Sequence, residues 1–278
     1  MDTTISQAQP DLSFTIIIPA RLKSIRLPNK ALLEIGGLPM VVRVAQEAKQ
    51  AGASQVIVAT DNSAIMEACS RYQINAVMTA ESHENGTSRL GEVIEYLSLP
   101  DEAIVVNVQG DEPFIDPKLI YSVAQTLQQS HSCAIATAAH PIYDVDEIRN
   151  PNIVKVVIDQ QQQATYFSRA PIPWPRDGFE LDNHFASAQS AQQSSSNKNH
   201  PYLRHIGLYA YRAQFLRQYS RLAMAPTEKL EALEQLRALW HGEKIAVWIT
   251  HTAPASGIDT QEDYLSACAK FHAASSQA

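Results

Sequence analysis

The sequence predicts an α/β fold in which helices cover a mostly parallel sheet and a smaller antiparallel hairpin is inserted. Three observations predict it. Continuous apolar runs at 14–19 (FTIIIP), 55–59 (QVIVA) and 103–108 (AIVVNV) suit strands buried on both faces. Helix-patterned stretches separate these runs, so the strands are joined by crossovers and run parallel. After residue 150 the pattern changes to two short β-rich runs, 154–158 and 164–167, joined by a polar turn at 159–163, which reads as an antiparallel hairpin.

The remaining elements alternate between these landmarks. A helix over 39–50 ends at Ala51-Gly52, and helices over 63–72 and 88–97 flank a short strand at 75–78. In the third helix Leu90, Val93, Ile94 and Leu97 share one stripe. Helix 117–128 leads to a strand at 134–138, and an aromatic strand covers 202–211. A strongly patterned helix is predicted over 227–240, with Thr227 as N-cap, Glu228 and Glu231 in its first turn, and Leu230, Leu233, Leu236 and Leu239 on its apolar side. A strand at 245–249 and a helix at 260–271 close the chain.

The chain has 278 residues, enough for one domain with a sizeable core. Residues 1–13 read as a disordered tail, and 14–278 as a single α/β domain with the hairpin and a flexible loop inserted around 150–212. The Ser/Gln/Asn/Ala-rich stretch 185–199 is the flexible part. A net charge of -7 with no basic run gives no footprint for nucleic acid or an anionic membrane. The N-terminal segment lacks a basic start and an apolar core, so it is no signal peptide, and no apolar run is long enough to span a bilayer. The three cysteines, Cys69, Cys133 and Cys268, have no CxxC spacing and suit free thiols in a reducing compartment, which implies a cytoplasmic location.

In open α/β sheets ligands bind beyond the carboxyl ends of the strands. After the first strand, Arg21, Lys23, Arg26 and Lys30 crowd one loop that begins at Pro19-Ala20. Such a loop suits either solvent or several phosphate oxygens, and it is neither a Walker loop nor a GxGxxG turn. Gln109-Gly110-Asp111 follows the strand at 103–108, and Asp259 follows the last strand. Each aspartate fits two roles: a Mg²⁺ ligand, or a turn or helix cap. Gly86-Thr87-Ser88-Arg89 opens a helix that Thr87 or Ser88 can cap, with Arg89 aimed at the site or at solvent. Glu234, beside Gln235, either pairs with Arg237, Lys229 or Lys244 or binds sugar hydroxyls. His205 and Tyr209 share a strand face by period two, and Arg169 follows the second hairpin strand.

The strings IIIPARLKSIRLPNKAL, GTSRLGEV, VVNVQGDEP, YFSRAPIPW, LRHIGLYAYR, LEALEQLRALWHGEKI and GIDTQEDY occur in this order. Together, over roughly 14–271, they resemble the CMP-Kdo synthetase family, the 3-deoxy-manno-octulosonate (Kdo) cytidylyltransferases; CMP-sialic acid synthetases are similar more distantly through the PAR…LPxK loop. The resemblance implies a Rossmann-like sheet of the nucleotide-diphospho-sugar transferase type. It implies a Mg²⁺-dependent transfer of CMP from CTP to Kdo, with loss of diphosphate, for lipopolysaccharide biosynthesis. By the same resemblance Ala20, Arg21, Ser24, Arg26, Lys30 and Arg89 contact the nucleotide, Asp111 and Asp259 the metal, and Gln109, Arg169, His205, Tyr209, Glu234 and Gln235 the sugar acid. Arg21, Lys30, Asp111 and Asp259 are the expected catalytic set. A homodimer is also implied, with the hairpin and the strand at 202–211 as its interface. The rival readings are the same reaction on 8-amino-Kdo or a sialic acid, and a non-catalytic nucleotide-binding protein. Loop 185–199 and the tail are longer than the family pattern implies.

Overall fold

A computed structural model describes residues 12–22, 26–83, 85–176, 202–255 and 257–275. Of the two stretches expected to be flexible, loop 185–199 and residues 1–11 of the 1–13 tail lie outside the described residues; the last two tail residues are ordered, with Leu12 packed against the core and Ser13 Oγ 2.9 Å from Ser54 Oγ.

Among the described residues nine strands form the main sheet. In chain order they are β1 (Phe14–Ala20), β4 (Gln55–Thr60), β5 (Asn75–Met78), β6 (Ile104–Asn107), β7 (Ile135–Pro141), β8 (Lys155–Ile158), β9 (Ala164–Ser168), β10 (Leu203–Arg212) and β11 (Ile245–Ile249). Their spatial order is β11-β7-β10-β6-β1-β4-β5, with β8 and β9 reached through β10. Strands β1, β4, β5 and β6 pair in parallel, as do β7 and β11. Strand β10 alone inserts antiparallel between β6 and β7. The hairpin β8–β9 is therefore an antiparallel extension of the same sheet. A two-stranded ribbon, β2 (Glu34–Ile35) and β3 (Leu38–Pro39), follows the first loop.

Ile16, Ile17 and Ile18 in β1 are wholly buried, because the sheet is covered on both faces. Burying each contributes about 2 kcal/mol. One face packs against α1 (Met40–Lys49), α2 (Ser63–Arg71) and α4 (Pro117–Gln129), through Val41, Val44, Ile65, Ile120 and Val123. The other packs against α3 (Gly86–Tyr96) and α6 (Ala213–Tyr219), through Leu90, Val93, Phe215 and Leu216. A short α5 (Val145–Arg149) lies between β7 and β8. Cys69 and Cys133 are buried free thiols, and burial pushes Cys69 up to about 11.

The helix predicted over 227–240 is two helices, α7 (Pro226–Glu231) and α8 (Gln235–Trp240). Ala232 interrupts them in the left-handed region, at φ 51° and ψ 50°. Ala225, not Thr227, occupies the cap, with Pro226 in the first helical position and Glu228 reaching back to the Ala225 amide. The break turns α7 so that Leu230, expected on the apolar side, is 86% exposed, while Leu233 and Leu236 stay in the core. It also directs Glu234 and Gln235 towards the carboxyl end of the sheet. The closing helix α9 (Gln261–Ser275) packs on the β2–β3 ribbon. There Gly36, at φ +58°, leaves room for Phe271: a Cβ would sit 2.0 Å from the ring. Phe271 in turn lies under Arg43, 4.0 Å from ring centre to guanidinium.

Candidate active site

The loop after β1 is pinned by Leu27, which is buried, and by Asn29, which takes a left-handed conformation at φ 57°. Asparagine tolerates that region better than other side chains. Asn29→Val should therefore cost about 1–2 kcal/mol in chemical denaturation and Asn29→Gly almost nothing. Equal stability of the two variants would contradict strain at this turn.

The turn delivers Lys30 to the site. Its ammonium lies 2.5 Å from Asp111 Oδ2 and 3.0 Å from Asp259 Oδ1, and Arg26 reaches Asp259 Oδ2 at 3.0 Å. Residues 81 and 229 positions from Lys30 thus meet on one cation. Of the two sequence roles for Asp259, capping is taken by others. Asp263 accepts hydrogen bonds from the Asp259 and Thr260 amides, and its own amide donates to Thr260 Oγ1. The Asp259 carboxylate is left for the basic loop. Gly110 lets the segment after β6 approach the end of β1, since a Cβ would stand 3.0 Å from the Pro19 carbonyl oxygen. Beside Asp111, burial and then the Asp111 charge push Glu112 up to about 7.

These groups line a cavity of about 360 Å³ that includes Ala20, Arg21, Arg26, Lys30, Arg89, Gln109, Asp111 and Asp259. Ser24 lies outside the described residues. Arg89 points neither to solvent nor freely into the cavity. It is buried, holding Asp61 at 2.7 Å and the Thr79 hydroxyl, and so forms a rigid wall. Asn85, not Thr87 or Ser88, caps α3 by accepting from the Ser88 amide at 2.8 Å. Thr87 is thereby free to donate to Glu234 Oε2 at 3.2 Å.

A second cavity of about 370 Å³ adjoins the first through Arg21, Gly86 and Gln109. Tyr209, Tyr211, Glu234 and Gln235 line it. Of the cations considered from sequence, Arg237 is taken by Glu228, and Glu234 instead accepts from Thr87. Burial raises the Glu234 carboxyl above its usual range, the Thr87 bond opposes this, Glu228 adds to it, and Arg237 and Arg21 oppose it. Burial first, then Tyr211 and Glu234, raise the Tyr209 phenol well above its usual value, so it is a neutral hydroxyl.

His205 and Tyr209 do share a face, although the strand is irregular between them. From Ile206 to Tyr209, β10 advances three residues while β7 advances one, from Ala138 to Thr137. The surplus is even, so the facing is preserved. His205 stands edge-on to Phe167 at 5.0 Å and against Tyr209 at 5.3 Å. Its Nε2 is 3.0 Å from the Thr137 hydroxyl, which donates to the Ile206 and Leu208 carbonyls. A hydroxyl already donating must accept, so Nε2 carries the proton and Nδ1 is an acceptor. Burial lowers this imidazole to about 3, against an ordinary 6.5. The unfolded chain therefore binds a proton below pH 6.5 that the fold refuses. Stability should fall as pH drops from about 6.5 towards 3, by about 2 kcal/mol at pH 5 from this residue. His205→Gln should flatten that part of a pH–stability curve; an unchanged slope would contradict a buried neutral imidazole.

Arg169 does not line either cavity among the described residues. Its guanidinium donates to the Glu231 carbonyl at 2.7 Å and the Pro151 carbonyl at 3.0 Å, and its amide to the Glu231 carboxylate at 2.7 Å. Arg169 thus ties the end of β9 to the end of α7. Lys155, wholly buried, supports the same corner by donating to the Asn150, Ile153 and Arg169 carbonyls.

Sequence reasoning passed over Thr87 as a carboxylate partner, and Tyr211 and Asn107 as cavity-lining groups. Asn107 carried a readable signal: an amide at the end of an otherwise apolar, fully buried strand.

Residues 15–245 match the family model described as cytidylyltransferase. A solved CMP:2-keto-3-deoxy-manno-octonic acid synthetase complexed with CTP is similar over 94% of this chain and 98% of its own, at 36% identity and a TM-score of 0.80. A cytidylyltransferase from Leptospira borgpetersenii serovar Hardjo-bovis (strain JB197) matches over 91% of this chain and 83% of its own, at 15% identity and a TM-score of 0.52. The 4-diphosphocytidyl-2C-methyl-D-erythritol synthase of Anaerococcus prevotii DSM 20548 covers 94% of this chain and 100% of its own, at 15% identity and a TM-score of 0.57; these last two share the fold. With a cationic loop, two converging aspartates and an adjoining polar chamber in place, the chain belongs to the cytidylyltransferase family and, within it, to the CMP-Kdo synthetases.

Proposed function

We propose that this enzyme joins CMP from CTP to Kdo, releasing diphosphate, as a cytoplasmic step supplying lipopolysaccharide synthesis. The observation that carries the reading is the pair of adjoining cavities meeting at Arg21 and Gln109, one cationic with two carboxylates, the other lined by hydroxyl- and carboxylate-bearing side chains.

In this reading Arg21, Arg26 and Lys30 hold the triphosphate, each supplying charge-assisted hydrogen bonds to phosphate oxygens. The polar chamber orients the sugar so that its anomeric hydroxyl faces the α-phosphorus across the shared wall. Glu234 accepts from sugar hydroxyls and Tyr209 donates to or accepts from them. Positioning and electrostatics then carry the rate, since phosphoryl chemistry asks little covalent help of the protein. Arg169 reaches the sugar carboxylate only by leaving the Glu231 and Pro151 carbonyls.

The donor set suits magnesium. Asp111 Oδ2 and Asp259 Oδ1 already converge on one positive charge, the Lys30 ammonium. Hard carboxylate oxygens at one point, completed by phosphate oxygens and water, are what Mg²⁺ takes. Among the described residues no group of three His, Cys, Asp or Glu side chains gathers around one point; Asp111 and Asp259 would hold the ion together with phosphate oxygens of the nucleotide. When bound, Mg²⁺ neutralises phosphate charge and acidifies a nearby sugar hydroxyl. A homodimer through the hairpin is part of the proposal, supported by the part-exposed Tyr166 on β9.

The test is diphosphate release from CTP and Mg²⁺ with Kdo, 8-amino-Kdo or sialic acid added in turn. Release with Kdo at the highest kcat/KM is expected. Preference for another acid sugar would move the substrate, and CTP binding with no release from any of them would favour a non-catalytic nucleotide-binding role.

A further inference from the structure

Asn107 ends β6, paired with Ile17 of β1 on one side and Tyr209 of β10 on the other. Directly opposed residues share a sheet face, so Asn107 stands beside Tyr209, and Gln109, two residues on, follows it along the wall of the chamber. The Asn107 side chain is 3% exposed, and its amide hydrogen-bonds the buried Tyr211 hydroxyl. Its Oδ1 has no partner among the described residues. Across the same cavity Gln235, 9% exposed, has an Nε2 with no partner among the described residues. Burying an amide oxygen and an amide N–H without partners is costly, and natural folds rarely do it twice in one cavity.

We propose that Asn107 is a specificity-determining residue of this chamber, forming with Gln235 an acceptor–donor pair for a substrate hydroxyl. The two vacancies are chemically opposite: Oδ1 needs a donor and Nε2 needs an acceptor. A hydroxyl supplies both at one atom. A carboxylate supplies only acceptors and an ammonium only donors, so each leaves one of the two amides unfilled. The pair therefore selects a neutral polyol carbon at this point and disfavours a charged substituent there. The Glu234–Thr87 and Tyr211 contacts fix the groups around the two amides. This inference rests on the polar chamber being the acid-sugar site.

The experiment measures KM for Kdo and for CTP with wild type, Asn107→Leu and Asn107→Ala, together with ligand-free thermal midpoints and a set of monodeoxy Kdo analogues. Expected is a roughly 10- to 50-fold rise in KM for Kdo, with KM for CTP within about twofold. The ligand-free midpoint of Asn107→Leu should change little, since removing an unfilled buried acceptor offsets the lost bond to the Tyr211 hydroxyl. One monodeoxy analogue should lose affinity for wild type and no further affinity for either variant. A variant that loses stability while keeping wild-type KM for Kdo would make Asn107 structural and overturn the inference. Wild-type turnover of Kdo with no analogue dependence on Asn107 would overturn it alone. Absence of turnover by wild type with every acid sugar would overturn both it and the proposed function.

Discussion

Asp111→Asn should lower kcat by about a hundredfold or more at saturating Mg²⁺, with the fold intact. The substitution keeps the shape of the side chain and removes one negative charge from the point where Asp111, Asp259 and Lys30 meet. In the proposed role of Asp111 the bound ion supplies several kcal/mol of transition-state charge stabilisation, hence the size of the fall. Stability should change by about 1 kcal/mol or less, because the Asp111 carboxylate is partly exposed and Lys30 keeps Asp259. The backbone role of Asp111, accepting from the Ile258 amide at 2.9 Å, is untouched. Steady-state kinetics across a Mg²⁺ titration, beside a thermal midpoint, separate the two effects. A near-wild-type rate at saturating Mg²⁺ would remove Asp111 from the catalytic set.

Arg237→Met should destabilise the protein by about 3–5 kcal/mol, the largest stability effect expected from any single change here. Arg237 donates twice to Glu228, at 2.8 and 2.7 Å, with both side chains buried. The same guanidinium lies 4.6 Å over the Tyr219 ring. That hydrogen-bonded carboxylate holds Arg237 above its usual range. Removing the cation leaves Glu228 buried without its partner, whereas removing both charges does not. Glu228→Gln/Arg237→Met should accordingly recover much of the loss, the signature of a coupled pair. The pair joins α7 to α8 across the Ala232 break, so the single variant should also raise KM for the acid sugar by displacing Glu234 and Gln235. A denaturation midpoint matching wild type would contradict a desolvated ion pair at this junction.

The sheet was legible because its strands are continuous apolar runs, and apolar runs of that length have few alternatives once helices alternate with them. The cationic loop and the aspartates at 111 and 259 were legible too, since strand ends of an α/β sheet are where ligand groups belong. The break between α7 and α8 was not. It falls on Ala232, a strong helix former with no glycine or proline beside it, and the left-handed turn there is held by packing and the Glu228–Arg237 pair. Capping was misplaced at α3 because Asn85, Thr87 and Ser88 are all competent caps, and only the three-dimensional demand of Glu234 on Thr87 decides among them. Arg89 paired with Asp61, and Arg169 with backbone carbonyls, are contacts between distant segments that no local pattern announces. The orphaned amide of Asn107 was visible as a polar residue in a buried strand, but its unfilled oxygen shows only once β1, β6 and β10 are side by side.

The most direct measurement of the central claim follows the α-phosphate itself. CTP labelled with ³²P at that position is incubated with Kdo, Mg²⁺ and the enzyme, and label and diphosphate are quantified together. The two-chamber account predicts label in a sugar nucleotide that contains Kdo, with one diphosphate released per labelled product. Label recovered as free CMP, or left in CTP while the protein binds both substrates, would contradict transfer between the two cavities.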